Sequence, residues 1–152
     1  MEKLPKKIFE RDIESVDCGL SDIYFFKENE IEKGQAGFRF HGLTGEIIKD
    51  WIGDNFYVIG IDSCGGDPII VDISKEELPI YFMFHDDWTS LQLIAESFDQ
   101  FLDILYLIDD GDFHSEEGKD KLIANIKDIV PEEGYDYWEA LIQSGYEFVN
   151  DL

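Results

Sequence analysis

The chain has 152 residues and a formal net charge of −23, from 35 acidic and 12 basic side chains. That length fits one domain, and 44% hydrophobic with 14% aromatic content supplies a core, which excludes global disorder. The charge argues against nucleic acid as a direct ligand, since phosphate binding needs cationic surface, and no run approaches the ~20 apolar residues that span a bilayer.

The spacing predicts a helix over residues 3–16. Ile8, Phe9, Ile13 and Val16 form a rough apolar stripe, Pro5 suits a first turn and Gly19 a C-terminal cap. Asp22 to Phe26 reads as a short strand. Glu28 to Gln35 reads as one or two helical turns. Phe38 and Phe40 alternate with Arg39 and His41, a half-buried strand pattern. Gly42-Leu43-Thr44-Gly45 is a turn. Glu46 to Trp51 is a strand or a short helix; six residues do not separate the two.

The chain is organised around Asn55 to Asp72. Two apolar runs, Phe56–Ile61 and Ile69–Val71, flank the knot Asp62-Ser63-Cys64-Gly65-Gly66-Asp67-Pro68. β-Branched and aromatic runs around paired glycines and a proline predict strand, turn and strand. Ser74 to Pro79 is a polar connection, and Ile80 to Phe84 is a further apolar run. Trp88 to Ala95 extends as a strand, with Leu91, Leu93 and Ala95 expected on one side.

Helices follow. Phe98 to Ile108 carries a broad apolar stripe, with Ser97 as N-cap and Gln100 completing a Ser-x-x-Gln capping box. Asp109-Asp110-Gly111-Asp112 breaks it, and Ser115 to Gly118 is expected to be loop. Lys119 to Val130 is a second helix, with Leu122, Ile123, Ile126, Ile129 and Val130 inward and Pro131 as the stop. Tyr135 to Val149 is a third, carrying Trp138, Leu141, Ile142 and Tyr146. Sequential strands with short connections, then helices, predict one α+β domain over residues 1–152. Its sheet is twisted and mainly antiparallel, with helices packed on it.

Val58-Ile59-Gly60, Gly66-Asp67-Pro68-Ile69 and Val71-Asp72 resemble the central signature of the SUKH superfamily, the Smi/Knr-type proteins. The resemblance continues through His85-Asp86-Asp87-Trp88 and Ser97-Phe98-Asp99-Gln100-Phe101-Leu102, and spans about Ile23 to Leu107. It implies a SUKH-like fold in which Gly60, Gly66, Asp67 and Pro68 shape the backbone. It also implies a non-catalytic, cytoplasmic immunity protein that binds a cognate bacterial toxin. Such toxins are often nucleases, whose basic surfaces an acidic inhibitor would cover. The alternative is a regulatory scaffold that binds a cellular protein, as some non-immunity relatives do.

Residue chemistry agrees with a binding protein. Cys18 and Cys64 make no Cys-x-x-Cys pair and read as free thiols. An EF-hand register starting at Asp110 places His114 and Ser115 where a ligand and the required glycine belong, so a dedicated calcium site is not expected. The glycines of residues 60–66 make neither a dinucleotide fingerprint nor a P-loop. His85-Asp86-Asp87 is the nearest acid–base cluster, yet it has no nucleophile elbow and no second His at metal spacing. No enzyme, metal or cofactor is therefore expected, and the enzyme alternative left open is a small hydrolase or metal-dependent enzyme using His85 with Asp86 or Asp87. The candidate toxin-binding residues are the acidic loops with their aromatic neighbour: Asp62, Asp86, Asp87, Trp88, Asp109, Asp110 and Asp112. Trp88 is read as core in preference to interface anchor. Residues 1–16 lack an apolar signal region, which sets the cytoplasmic expectation. The oligomeric state is left open.

Overall fold

A computed structural model describes residues 4–151. The described chain is an α+β fold. Its strands are β1 (Ser15–Asp17), β2 (Asp22–Phe25), β3 (Phe56–Asp62), β4 (Asp67–Asp72), β5 (Ile80–Phe84) and β6 (Asp87–Ala95). They pair in chain order, each antiparallel to the next, as one six-stranded meander. The helices are α1 (Ile31–Gly34), α2 (Phe98–Asp110), α3 (Glu116–Lys127) and α4 (Tyr135–Asn150).

Both faces of the sheet are covered, which explains the continuous apolar runs of the central strands. Ile59, Ile69, Val71 and Phe82 face the main core, where α2 contributes Phe98, Phe101 and Leu105 and α4 contributes Trp138 and Ile142. Phe25 meets Phe98 and Phe101 edge to face, with centroids 6.2 and 5.7 Å apart. Trp138 donates its indole N–H to Ile94 O at 2.8 Å, so its bulk is buried without an orphaned donor. The intervening residues Val58, Ile70 and Met83 form a second, smaller core under Phe38, Trp51 and Ile52 from the β2–β3 connection. The buried Gln35 side chain ties that connection to the sheet. It donates to Ile31 O (2.8 Å) and Val58 O (2.7 Å) and accepts from Val58 N (2.9 Å).

Several sequence expectations give way to tertiary packing. Of the helix expected over 3–16, residue 3 lies outside the described residues. The rest is a single 3₁₀ turn at Lys6–Ile8, followed by β1. Ile8, Ile13 and Val16 are all buried, but against the sheet edge, and Val16 pairs with Ile23. Arg11 braces the segment by donating to Ile8 O and Phe26 O. Phe38 and Phe40 do not form a strand. Only isolated bridges join Ala36 to Phe40 and Phe40 to Ile47, and Phe38 turns onto Trp51 of the smaller core. Residues 46–51 form neither strand nor helix: Ile47 makes the bridge yet is exposed, and Lys49–Asp50 is a turn.

The helical boundaries shift outward at two places. α2 runs two residues past Ile108 to Asp110. α3 starts at Glu116, where a loop was expected, because the Ser115 hydroxyl caps it by accepting from Gly118 N at 3.0 Å. It ends at Lys127, which leaves Ile129 exposed. The Ser97 cap is present, but the Gln100 carbonyl accepts from Glu96 N and not from Ser97 N. Leu91, Leu93 and Ala95 do not share a side. The β5–β6 register shifts between Ile80 and Tyr81, so Leu93 pairs with Tyr81 while Ala95 pairs with Ile80. Leu91 then packs on the smaller core and Ala95 in the main one.

The SUKH-type signature residues have distinct backbone roles. Gly60 sits where the β3–β4 register shifts, and a Cβ there would lie 2.3 Å from Tyr24 O of β2. Gly66 has φ +70°, the left-handed conformation that closes the β3–β4 turn. Asp67 and Pro68 belong to β4 and not to the turn.

Candidate functional site

An antiparallel meander places alternate turns at the same end of the sheet. The β1–β2, β3–β4 and β5–β6 turns therefore lie side by side. Hydrogen bonds stitch neighbouring turns together. Asp22 N donates to the Ser63 hydroxyl at 2.8 Å, and Ser63 N donates to Asp22 O at 2.9 Å. His85 N donates to the Asp67 carboxylate at 2.9 Å.

All but one of the residues that close these hairpins are aspartates. Asp17 is the register partner of Asp22, Asp62 of Asp67, and Phe84 of Asp87. Two of the three hairpins thus end on an aspartate pair across the ladder. Beside them run Asp86 and, from α4, Asp136, both exposed. α4 crosses this end closely: a Cβ on Gly145 would lie 2.0 Å from Cys18 O. Between α4 and the turns lies a groove of about 550 Å³, bordered by Leu20, Asp62, Phe84, Asp136, Tyr137 and Ala140.

The candidate residues separate into distinct environments. Asp62 is not a loop residue. It is the last residue of β3 and is buried at 7% exposure. Its carboxylate accepts from Cys64 N at 3.3 Å and from the Tyr137 hydroxyl at 3.2 Å. Complete burial, then the nearby Asp62 charge, push the Tyr137 phenol well above its ordinary range, so it stays protonated and donates. Burial, reinforced by Asp62, pushes the Cys18 thiol up to about 12 and keeps it unreactive. Cys64, in the turn, is exposed.

Asp86 and Asp87 are exposed in the β5–β6 hairpin, and Asp87 accepts from Thr89 N and Oγ1. Neither is the partner of His85. His85 Nδ1 lies 2.8 Å from Asp67 Oδ1, a carboxylate 18 positions earlier in the chain. The hydrogen bond to Asp67 raises the His85 pKa above its ordinary value. Asp67 therefore reaches across to β5 and does not cap its own turn. Trp88 points to the opposite face, half-buried, with its ring 5.5 Å from that of Trp51.

Asp109, Asp110 and Asp112 lie at the α2–α3 corner, all exposed. Asp112 accepts from His114 N at 2.9 Å. Asp110 and Asp112 border a second groove, of about 840 Å³, with Asp103 and Glu117 on its rim and Leu107 and Leu122 lining it. The corner adjoins the turn-bearing end of the sheet, because Phe113 packs against Gly19 of the β1–β2 turn. Among the described residues no three His, Cys, Asp or Glu side chains converge in a metal-holding group. No described helix is long and apolar enough to cross a membrane.

Sequence reasoning missed Asp17, Asp22 and Asp136, which complete this end. The aspartates flanking Cys18-Gly19-Leu20-Ser21 were a usable signal, obscured by the expected N-terminal helix. In comparison with known proteins, the model of the SMI1 / KNR4 family (SUKH-1) matches residues 7–104. No curated protein and no solved structure matches the chain.

Proposed function

Because the chain belongs to the SMI1 / KNR4 (SUKH-1) family, we propose that it is an immunity protein: it binds a cognate bacterial toxin in the cytoplasm and neutralises it by occlusion, without catalysis. The observation that carries this proposal is the row of aspartates at the turn-bearing end, above all the Asp17–Asp22 and Asp62–Asp67 pairs. Like charges directly opposite on neighbouring strands destabilise a sheet, by roughly 0.2–1 kcal/mol per pair. A basic partner surface offsets that repulsion on binding. Nuclease toxins carry such a surface, since they must hold phosphates, and are the proposed class. The field of a chain at −23 also speeds encounter with a cationic partner, by ~10- to 10³-fold at low salt.

The test is co-expression with toxin domains from the same genome, scored by growth. The expected result is rescue by one toxin and a complex whose affinity falls as salt rises. Failure of every candidate, from a folded and soluble protein, would move the weight to a regulatory scaffold for a cellular protein. An affinity independent of salt would remove the electrostatic part.

A further inference from the structure

We propose that the groove between α4 and the sheet turns receives an arginine side chain presented by the partner protein, an inference that rests on the inhibitor reading above. The groove combines apolar walls with an uncompensated carboxylate. Phe84 and Leu20 border it and are 49% and 44% exposed, large apolar side chains left in water at one place. At its base Asp62 is 93% removed from solvent, and among the described residues it has no ion-pair partner. No lysine or arginine borders the groove, whereas Asp67 and Asp136 do.

The hydrogen-bond inventory of Asp62 leaves room for a fork. One carboxylate oxygen accepts from Cys64 N and the other from the Tyr137 hydroxyl. Each oxygen accepts about two hydrogen bonds, so each keeps one free site. Two parallel N–H donors from one guanidinium match that vacancy. Arginine fits better than lysine on two further counts. Its propyl stem can cover Leu20 and Leu141. Its flat head is weakly hydrated and stacks on an aromatic ring such as the open Phe84. The exposed Asp86 and Asp87 then act at longer range, as steering charges.

The test uses the intact protein and two small probes, N-acetyl-arginine N-methylamide and its neutral norleucine counterpart, followed by backbone amide NMR. The expected result is saturable shifts for arginine at Cys64 and Gly65 and at Ala140 and Ser144, with none for norleucine. Asp62→Asn keeps the size of the side chain and an acceptor for Tyr137; it should weaken arginine binding by about 10- to 100-fold, the loss expected of a charge-assisted pair. Ala140→Phe, at an exposed helix position, should block the groove with the fold intact. Equal shifts for the two probes, or unchanged binding by Asp62→Asn, would overturn the proposal. Toxin rescue with a groove indifferent to arginine would sink this proposal alone. Arginine binding with no rescuing toxin would support the groove and count against the immunity reading.

Discussion

Gly60→Ala isolates the reason for the signature glycine. A Cβ at that position would sit 2.3 Å from Tyr24 O and 3.3 Å from Phe25 Cα. Both are backbone atoms of β2, so no side-chain rotation relieves the clash. Real contacts of this kind keep 3.0 Å, so β2 must retreat by at least the 0.7 Å difference. That retreat loosens the pairing of Ile23, Tyr24 and Phe25 with Asp62, Ile61 and Gly60. It also pulls on Ile23 and Phe25, both with 0% exposure. Losing about two ladder hydrogen bonds costs ~2 kcal/mol net, and slackened packing around Phe25 adds ~1 kcal/mol. Relief of glycine's extra backbone entropy returns ~0.5 kcal/mol. The expected destabilisation is therefore ~2–3 kcal/mol, or about 5–10 °C in Tm for a domain of this size. Gly66→Ala is the control: φ is +70° and a Cβ would meet nothing within 4 Å, so only the backbone strain of ~1–2 kcal/mol applies. Urea titration followed by tryptophan fluorescence reads both variants, with unchanged m-values expected. Wild-type stability for Gly60→Ala, or a larger loss for Gly66→Ala, would refute the close-approach account.

Gln35→Leu removes both partners of the Val58 backbone groups and should cost ~2–4 kcal/mol by urea titration, since each buried orphan costs ~1–3 kcal/mol. Asp22→Asn should stabilise the fold by ~0.2–1 kcal/mol at low salt by relieving its pairing with Asp17, a gain that shrinks as salt rises; on the proposed function, the same change should slow association with a cationic partner. His85 should titrate above its ordinary value in the wild type and nearer to it in Asp67→Asn, which ¹H–¹⁵N NMR of the ring reads directly. Because the folded value is raised, the pair's contribution is complete below the unfolded pKa and is lost as pH rises through the folded one. His85→Ala should thus differ from wild type at acidic pH and converge with it on the alkaline side. Gly145→Ala, whose Cβ would press 2.0 Å from Cys18 O, should lift α4 off the β1–β2 turn; loss of amide-exchange protection in α4, with the sheet unaffected, is the expected readout.

The sheet was legible because its signals are local. Tyr57–Gly60 and Ile69–Val71 are buried on both faces, so they read as unbroken apolar runs whatever packs on them. α2 was legible for a similar reason: its cap, its stripe and its buried face all fall within one stretch. The failures come from interactions that cross the sequence. Ile8, Ile13 and Val16 satisfy a helical stripe and an irregular sheet edge equally well, and the pairing of Val16 with Ile23 decides between them. The start of α3 had a local signal, Ser115 followed by Glu116 and Glu117, which Gly118 masked. Nothing near Asp62 in sequence announces its burial. Its cover comes from Tyr137, 75 positions away. The partner of His85 is likewise hidden, since two adjacent aspartates are the obvious candidates and a third, on β4, holds it.

The same division runs through the turn-bearing end of the sheet. The family match covers residues 7–104, and so all three turns, Asp62, Asp67 and the β5–β6 hairpin. It stops within α2, leaving α3 and α4 outside. One side of the groove thus lies within the matched segment, where strand register sets Asp62 opposite Asp67. The other side is α4, which supplies Asp136, Tyr137, Ala140 and Ser144. Tyr137 and Gly145 anchor this helix against the framework and are buried, whereas Asp136 and Ala140 face solvent. The anchors hold α4 at a set distance from the turns, and the exposed positions between them can change without disturbing the core. In this chain the β3–β4 hairpin carries Asp62 and Asp67, while α4 adds Asp136 and shapes the approach to them. Charge speeds encounter with any cationic partner, while discrimination requires shape that admits one and clashes with others. On the inhibitor function proposed above, specificity therefore belongs on the α4 wall and encounter rate on the turns.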